Sequence, residues 1–152
     1  ASDLRQAQVR EADTFSSAIA INNGNGTFTL KPLPAEAQFA PIYASVAADF
    51  DGDGKTDLLV AGNFFDVTPM LGGYDASYGL LLRGDGQGSF TAVDGQASGL
   101  AIDGQVRDMK LIRTPKGQLI AVARNNDQVM MLRVGATALK PSPKSRSAKP
   151  GT

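Results

Sequence analysis

The stretch Asn22-Asn23-Gly24-Asn25-Gly26-Thr27-Phe28 returns 62 residues later as Gly84-Asp85-Gly86-Gln87-Gly88-Ser89-Phe90. Val60-Ala61-Gly62-Asn63 returns at the same spacing as Val122-Ala123-Arg124-Asn125, and Asp13 as Asp75. Two distant matches with one spacing mark an internal repeat. A repeat unit of this kind cannot bury its apolar face alone and stacks on its neighbours. That restricts the fold more than any other feature of the chain.

The segments between the repeated turns read as strands. Apolar or alternating runs occupy 16–22, 27–30, 42–48, 57–62, 78–83, 89–93, 105–112, 118–123 and 129–134. Asn23-Gly24-Asn25-Gly26, Gly84 to Gly88, Thr114 to Gly117 and Asn125 to Asp127 punctuate them as hairpin turns. Pro32 and Pro34 are expected to end the second strand, with a loop to about Pro41. A long connection over 63–77 and a glycine-bearing loop up to Gln105 complete the pattern. The expected class is all-β, with about two antiparallel four-stranded units. Grouped in fours, the strands are the last two of one unit, one whole unit, and three of another. Residues 1–15 are read as the end of a preceding segment, 16–134 as the repeated units, and 135–152 as a basic Pro/Ser tail too poor in apolar residues to pack.

One loop carries most of the chemistry. Asp49-Phe50-Asp51-Gly52-Asp53-Gly54-Lys55-Thr56-Asp57 places four carboxylates on alternate positions, with one gap at Lys55. Calcium takes about six to eight oxygen ligands in a flexible shell. Asp49, Asp51, Asp53 and Asp57 offer carboxylates, and Lys55 offers its carbonyl. Gly52 and Gly54 have no Cβ and permit the positive-φ turns of a tight wrap. An EF-hand would need a glutamate at position twelve and flanking helices. Position twelve is Val60, inside the apolar run Leu58-Leu59-Val60-Ala61, so the loop joins two strands. The competing reading is an Asp/Gly hairpin that binds no metal.

This strand-loop-strand form resembles the calcium loop of FG-GAP/VCBS repeats, the blades of integrin-α-like β-propellers. With Ala-Gly-Asn at 61–63, Tyr-Asp-Ala-Ser-Tyr-Gly at 74–79 and Val-Arg-Asp at 106–108, residues 13–134 resemble the C-terminal repeats of large bacterial proteins of the CRTAC/ASPIC-UnbV type. The resemblance implies a partial β-propeller with bound Ca2+ in a secreted or cell-surface protein of the bacterial envelope. It implies a binding or structural role for an unknown protein or glycan ligand. A propeller needs about four to eight blades to close, so this chain is expected to be the C-terminal part of a longer protein that supplies the rest. At the offset of 62, Asp49 maps to Leu111, Asp51 to Arg113 and Asp57 to Leu119, so only one copy is expected to hold metal.

Composition narrows the alternatives. The chain has 152 residues and no Cys or His. That removes thiol nucleophiles, Cys/His zinc sites, imidazole bases, disulfides and Ser-His-Asp triads. Lys plus Arg equals Asp plus Glu at 15 each. Four of the basic residues lie at or beyond Lys140, which leaves the body net acidic. This argues against nucleic acid as a partner. No run is long enough for a transmembrane helix, and no stretch reads as a signal peptide.

Several weaker features remain. Arg83-Gly84-Asp85 spells an integrin-recognised tripeptide but sits where the repeat puts a hairpin. The glycines at 84, 86 and 88 lack the helix and Lys-Ser/Thr of a phosphate cradle. Some of Phe64, Phe65, Tyr74 and Tyr78 are expected to pack between blades rather than to form a sugar platform. Asp66 and Asp75, if held about 5 to 9 Å apart, are the pair that a glycosidase would need. Exposed strand edges offer a third role, as an assembly interface.

Overall fold

The computed structural model of the protein describes residues 8, 10–68, 70 and 72–135. The basic tail read over 135–152 lies almost wholly outside them, as does most of 1–15. The described chain is nearly all β. Nine strands follow one another: β1 (Ala18–Asn22), β2 (Phe28–Pro32), β3 (Ile42–Ala48), β4 (Asp57–Gly62), β5 (Leu80–Gly84), β6 (Phe90–Val93), β7 (Val106–Thr114), β8 (Gly117–Arg124) and β9 (Met130–Arg133). They form antiparallel meanders of two, four and three strands, in the orders β1-β2, β3-β4-β5-β6 and β7-β8-β9. This is the grouping expected from the sequence.

The sheets stack face to face, and β4 lies in the middle of the stack. Leu59 and Ala61 point into one core with Val46, Leu81, Val106, Met109, Ile120 and Val122. Val60 points into a second core with Leu33, Ala37 and Leu82, against which Leu58 packs. A strand covered on both faces needs no polar alternation, which is why 58–61 reads as an unbroken apolar run. β3 packs beside β7, bringing the first strands of adjacent sheets together.

The repeat is visible in the backbone. Asn23 N–H donates to the Thr27 carbonyl, and Asp85 N–H donates to the Ser89 carbonyl, both at 3.0 Å. The turns close with Asn22 opposite Phe28 and Gly84 opposite Phe90. β3 and β7 each carry an irregularity at the same place against their partners, between Ile42 and Ala44 and between Val106 and Asp108. Since Ile42 faces Gly62 and Val106 faces Arg124, the first strands correspond at a spacing two residues longer than the second strands. The mapping of Asp49 to Leu111 and Asp51 to Arg113 is corrected accordingly: Ala48 matches Ile112, and Asp49 matches Arg113. β7 and β8 run on into a tight turn at Thr114–Gly117, so the third sheet has no long loop there.

Pro32 ends β2 as expected and is itself the last paired residue, opposite Ala18. Only β1 pairs with β2, so the donor that proline lacks is missed least on this edge. The supposed loop before Pro41 holds a 3-10 turn, Ala35–Gln38. The glycine-bearing loop holds a four-residue helix, α1 (Gly95–Ser98). Asp94 caps it by accepting from Gln96 N–H, and Gly99 ends it at φ 67°.

The 63–77 connection is tied down rather than free. Phe64 and Tyr74 exchange two backbone hydrogen bonds of 2.9 and 2.8 Å. Asn63, buried and at φ 80°, donates through Nδ2 to the Ser77 and Gly104 carbonyls and accepts from Ser77 N–H. Phe64 is half-buried near Tyr43, with the Arg107 guanidinium 4.4 Å from the Tyr43 ring centre. Phe65, Tyr74 and Tyr78 are exposed, so of the four aromatics only Phe64 is partly packed.

Two strand glycines are required by close approach. A Cβ on Gly62 would lie 1.7 Å from the Pro41 carbonyl oxygen, and one on Gly84 would lie 2.0 Å from that of Thr56. Gly24, at φ 79°, has open space around it. Gly62→Ala is therefore expected to cost about 3 kcal/mol or more by overpacking against backbone, and Gly24→Ala about 1 kcal/mol from its left-handed conformation. Urea melts of the two variants check the order, and equal losses would contradict it.

Candidate metal loop

The loop between β3 and β4 is built by its own carboxylates. Asp49 Oδ1 accepts from Gly52 N–H at 2.7 Å, and Oδ2 accepts from Gly54 N–H at 3.0 Å. Asp51 Oδ1 accepts from Asp53 N–H, and Asp53 Oδ1 from Lys55 N–H, at 3.1 and 2.8 Å. Gly52 and Gly54 take φ of 79° and 82°, which turn these N–H groups inward.

Asp57 is different in kind. Its side chain is fully buried. Oδ1 accepts from Gly84 N–H on β5 at 2.9 Å, and Oδ2 accepts from Phe50 N–H in the loop at 3.0 Å. One carboxylate thus joins the start of β4, the loop and the end of β5. Gly84 can come this close only because it has no side chain.

The structure brings Asp49, Asp51 and Asp57 together. One carboxylate oxygen from each lies within 4.8 Å of the other two. Asp53 stands outside this trio, with Oδ2 at 3.4 Å from Lys55 Nζ. Asp51 Oδ2 lies 2.7 Å from Arg83 Nε, an ion pair in which the aspartate side chain is only 6 % exposed. Each carboxylate oxygen has two lone pairs, so accepting one N–H leaves capacity for a cation. An all-oxygen set of this sort suits a hard ion such as calcium. Beside the loop, Asp49, Phe50, Asp51, Gly52, Gln118 and Val134 line an open cleft of about 260 Å³.

Similar Asx turns with paired positive-φ glycines occur in the other two Gly-rich turns. Asn22 Oδ1 accepts from Gly24 N–H, and Asp85 Oδ1 from Gln87 and Ser89 N–H. Gly24, Gly26, Gly86 and Gly88 all have φ between 76° and 81°. The turn geometry is therefore common property. Convergent carboxylates distinguish the 49–57 loop.

Residues 12–60 match the family model described as FG-GAP-like repeat, and residues 42–82 match the one described as FG-GAP repeat. These matches support an FG-GAP repeat. Each covers less than half of the chain, and both include the acidic loop. No curated protein and no solved structure matches the chain. An FG-GAP repeat implies a propeller with further blades, which agrees with the all-β sheets described above. Among the described residues no helix is long and apolar enough to cross a membrane.

The other sequence candidates lie outside the acidic loop. Asp66 is exposed and lies 4.0 Å from Arg107 Nη2. Asp75 is exposed elsewhere on the same connection. Arg83 is engaged by Asp51 and Gly84 is buried, so Arg83-Gly84-Asp85 is not displayed as a free loop. Sequence reasoning missed the Arg83–Asp51 pair and the clamp made by Asp57. The nearest signal was Gly84 itself, a strand glycine that the turn alone does not require.

Hydrogen bonds from backbone N–H hold two loop carboxyls below the ordinary value of 3.8: Asp53 chiefly through Lys55 N–H, and Asp85 chiefly through Ser89 N–H. A depressed carboxylate stabilises the fold above its unfolded value and loses that contribution as pH falls through the folded one. NMR titration of Asp53 and Asp85 should give midpoints below 3.8, and a midpoint above that value would contradict this account. Hydrogen bonds to a charged group contribute about 1.5–3 kcal/mol each. Asp57→Ala removes two such bonds and strands two buried donors, so a loss of about 3 kcal/mol or more is expected in denaturant melts. Asp66→Ala should change stability by less than about 0.5 kcal/mol.

Proposed function

We propose that this chain is a calcium-stabilised β-propeller segment, serving as an extracellular binding or structural module. The observation that carries the proposal is the convergence of Asp49, Asp51 and Asp57 within 4.8 Å on a loop that joins the first two strands of the middle sheet. Asp49, Asp51 and Asp57 would hold the ion, with Asp53 and the Lys55 carbonyl completing the oxygen shell. Bound calcium supplies positive charge that offsets the repulsion among these carboxylates. The chain's own part is to fix β3 against β4 and, through Asp57, β4 against β5.

Among the described residues, β1 and β9 each have one unpaired edge where a blade of four strands would continue, and this supports the ring reading. β1-β2 stands as a lone hairpin, with an open cleft of about 550 Å³ between it and the next sheet, lined in part by Ile19, Leu33, Ile42, Ala47 and Phe90. Two further strands would fill it, and one strand would complete β7-β8-β9. In this proposal the blades occupy 16–134, and the rest of the propeller comes from the parent chain. The same edges suit pairing with a second chain, which is the assembly reading. A secreted or cell-surface setting suits the loop, since extracellular calcium modules work at about 10⁻⁴ to 10⁻³ M. Protein and glycan ligands fit such a module equally. The parallel reading as a carbohydrate-active enzyme gains nothing from Asp66, which lies against Arg107.

Thermal melts of the intact protein in millimolar calcium and in EDTA test the proposal. Calcium should raise the melting temperature, since an ion that binds only the folded state stabilises it by mass action. Asp49→Asn with Asp51→Asn should abolish the increment. Overlaid melts for the unsubstituted protein would remove the structural ion.

A further inference from the structure

We propose that Arg83 is a built-in counter-ion of the acidic loop, which holds Asp51 in place without metal and weakens the loop's grip on calcium. The inference rests on the calcium reading of the same loop and assigns a residue outside it a controlling part.

The geometry is specific. Arg83 lies on β5, 32 positions along the chain from Asp51, and places Nε 2.7 Å from Asp51 Oδ2 in the loop that leads into β4. The Asp51 side chain is 6 % exposed and that of Arg83 31 %. Water screens such a pair less than it screens a surface pair. Asp51 is one of the three carboxylates that converge, and its Oδ1 is already taken up by Asp53 N–H.

The position 62 residues earlier, in the matching strand β1, is Ile21, which packs toward Gly88. Affinity in oxygen-donor calcium sites is set by ligand charge and by site rigidity. Arg83 lowers the first and raises the second. In this inference the charge effect outweighs the rigidity, because the guanidinium lies 2.7 Å from a ligand carboxylate that is largely shielded from water. The loop should keep its shape when calcium is removed, and bind the ion more weakly than four unopposed carboxylates would.

The test is calorimetric titration of calcium chloride into the chelator-stripped intact protein, with melts in EDTA alongside. Arg83→Gln should bind calcium about tenfold more tightly than the unsubstituted protein and melt at a lower temperature in EDTA. Lys110→Gln removes an equal charge from the exposed pair with Asp108 and should change neither readout. Calcium binding by Arg83→Gln alone, with none by the unsubstituted protein, also supports the inference in its strongest form. Equal or weaker binding by Arg83→Gln overturns the inference and leaves the calcium reading intact. No binding by either protein overturns both.

Discussion

The middle sheet is held by one buried carboxylate that spends both oxygens on backbone. Asp57 takes N–H groups from Phe50 and Gly84, one before β4 and one at the end of β5. A charged group with no exposure is tolerable only when it is fully hydrogen-bonded. The requirement spreads outward. Gly84 must lack a side chain, because a Cβ there would lie 2.0 Å from the Thr56 carbonyl oxygen. Phe50 must turn inward, and its ring joins the core between the second and third sheets. The acidic loop is then anchored at both ends before any cation is considered.

The third sheet shows what the scaffold looks like without that loop. β7 and β8 match β3 and β4 in pairing and in the irregularity near their starts, yet they continue into a tight turn at Thr114–Gly117. Leu119 stands where Asp57 stands in the second sheet, and Arg113 where Asp49 stands. The sheet still packs, with Ile120 and Val122 in the shared core. Stacking of apolar faces is enough to build the unit, and the carboxylate loop is an addition to it. Its stabilising role is local to the junction of β3, β4 and β5.

Much of this was legible in the residues. β3 and β4 could be bounded correctly because Pro41, the acidic loop and Asn63 flank two clean apolar runs. The two-four-three grouping followed from nine runs and one repeat. What could not be read was of two kinds. α1 is four residues long, too short for periodicity, and only its Asp94 and Gly99 caps signal it. Phe65, Tyr74 and Tyr78 are exposed although large aromatics are commonly buried, because the 63–77 connection is fixed by Asn63 and backbone pairing rather than by their rings. Within the loop, alternate spacing suggested equal ligands. The fold separates them into three that converge and one, Asp53, that turns to Lys55.

An Asp-rich turn therefore carries two messages that sequence alone superimposes. The turns at 22–26 and 85–89 use the same Asx bonds and the same positive-φ glycines, with at most one acidic residue between their strands. Their geometry needs no ion, so alternating Asp and Gly by itself speaks for a turn. The 49–57 loop adds charge that the turn does not need, and sets against it a buried clamp at Asp57 and a guanidinium at Asp51. A turn that already satisfies its carboxylates internally is preformed for a cation, and preformation reduces the ordering that binding would otherwise require. The same internal partners compete for the lone pairs and charge that a cation would use. Such a loop belongs where the ion is plentiful and is asked to reinforce a fold that exists without it, rather than to create one.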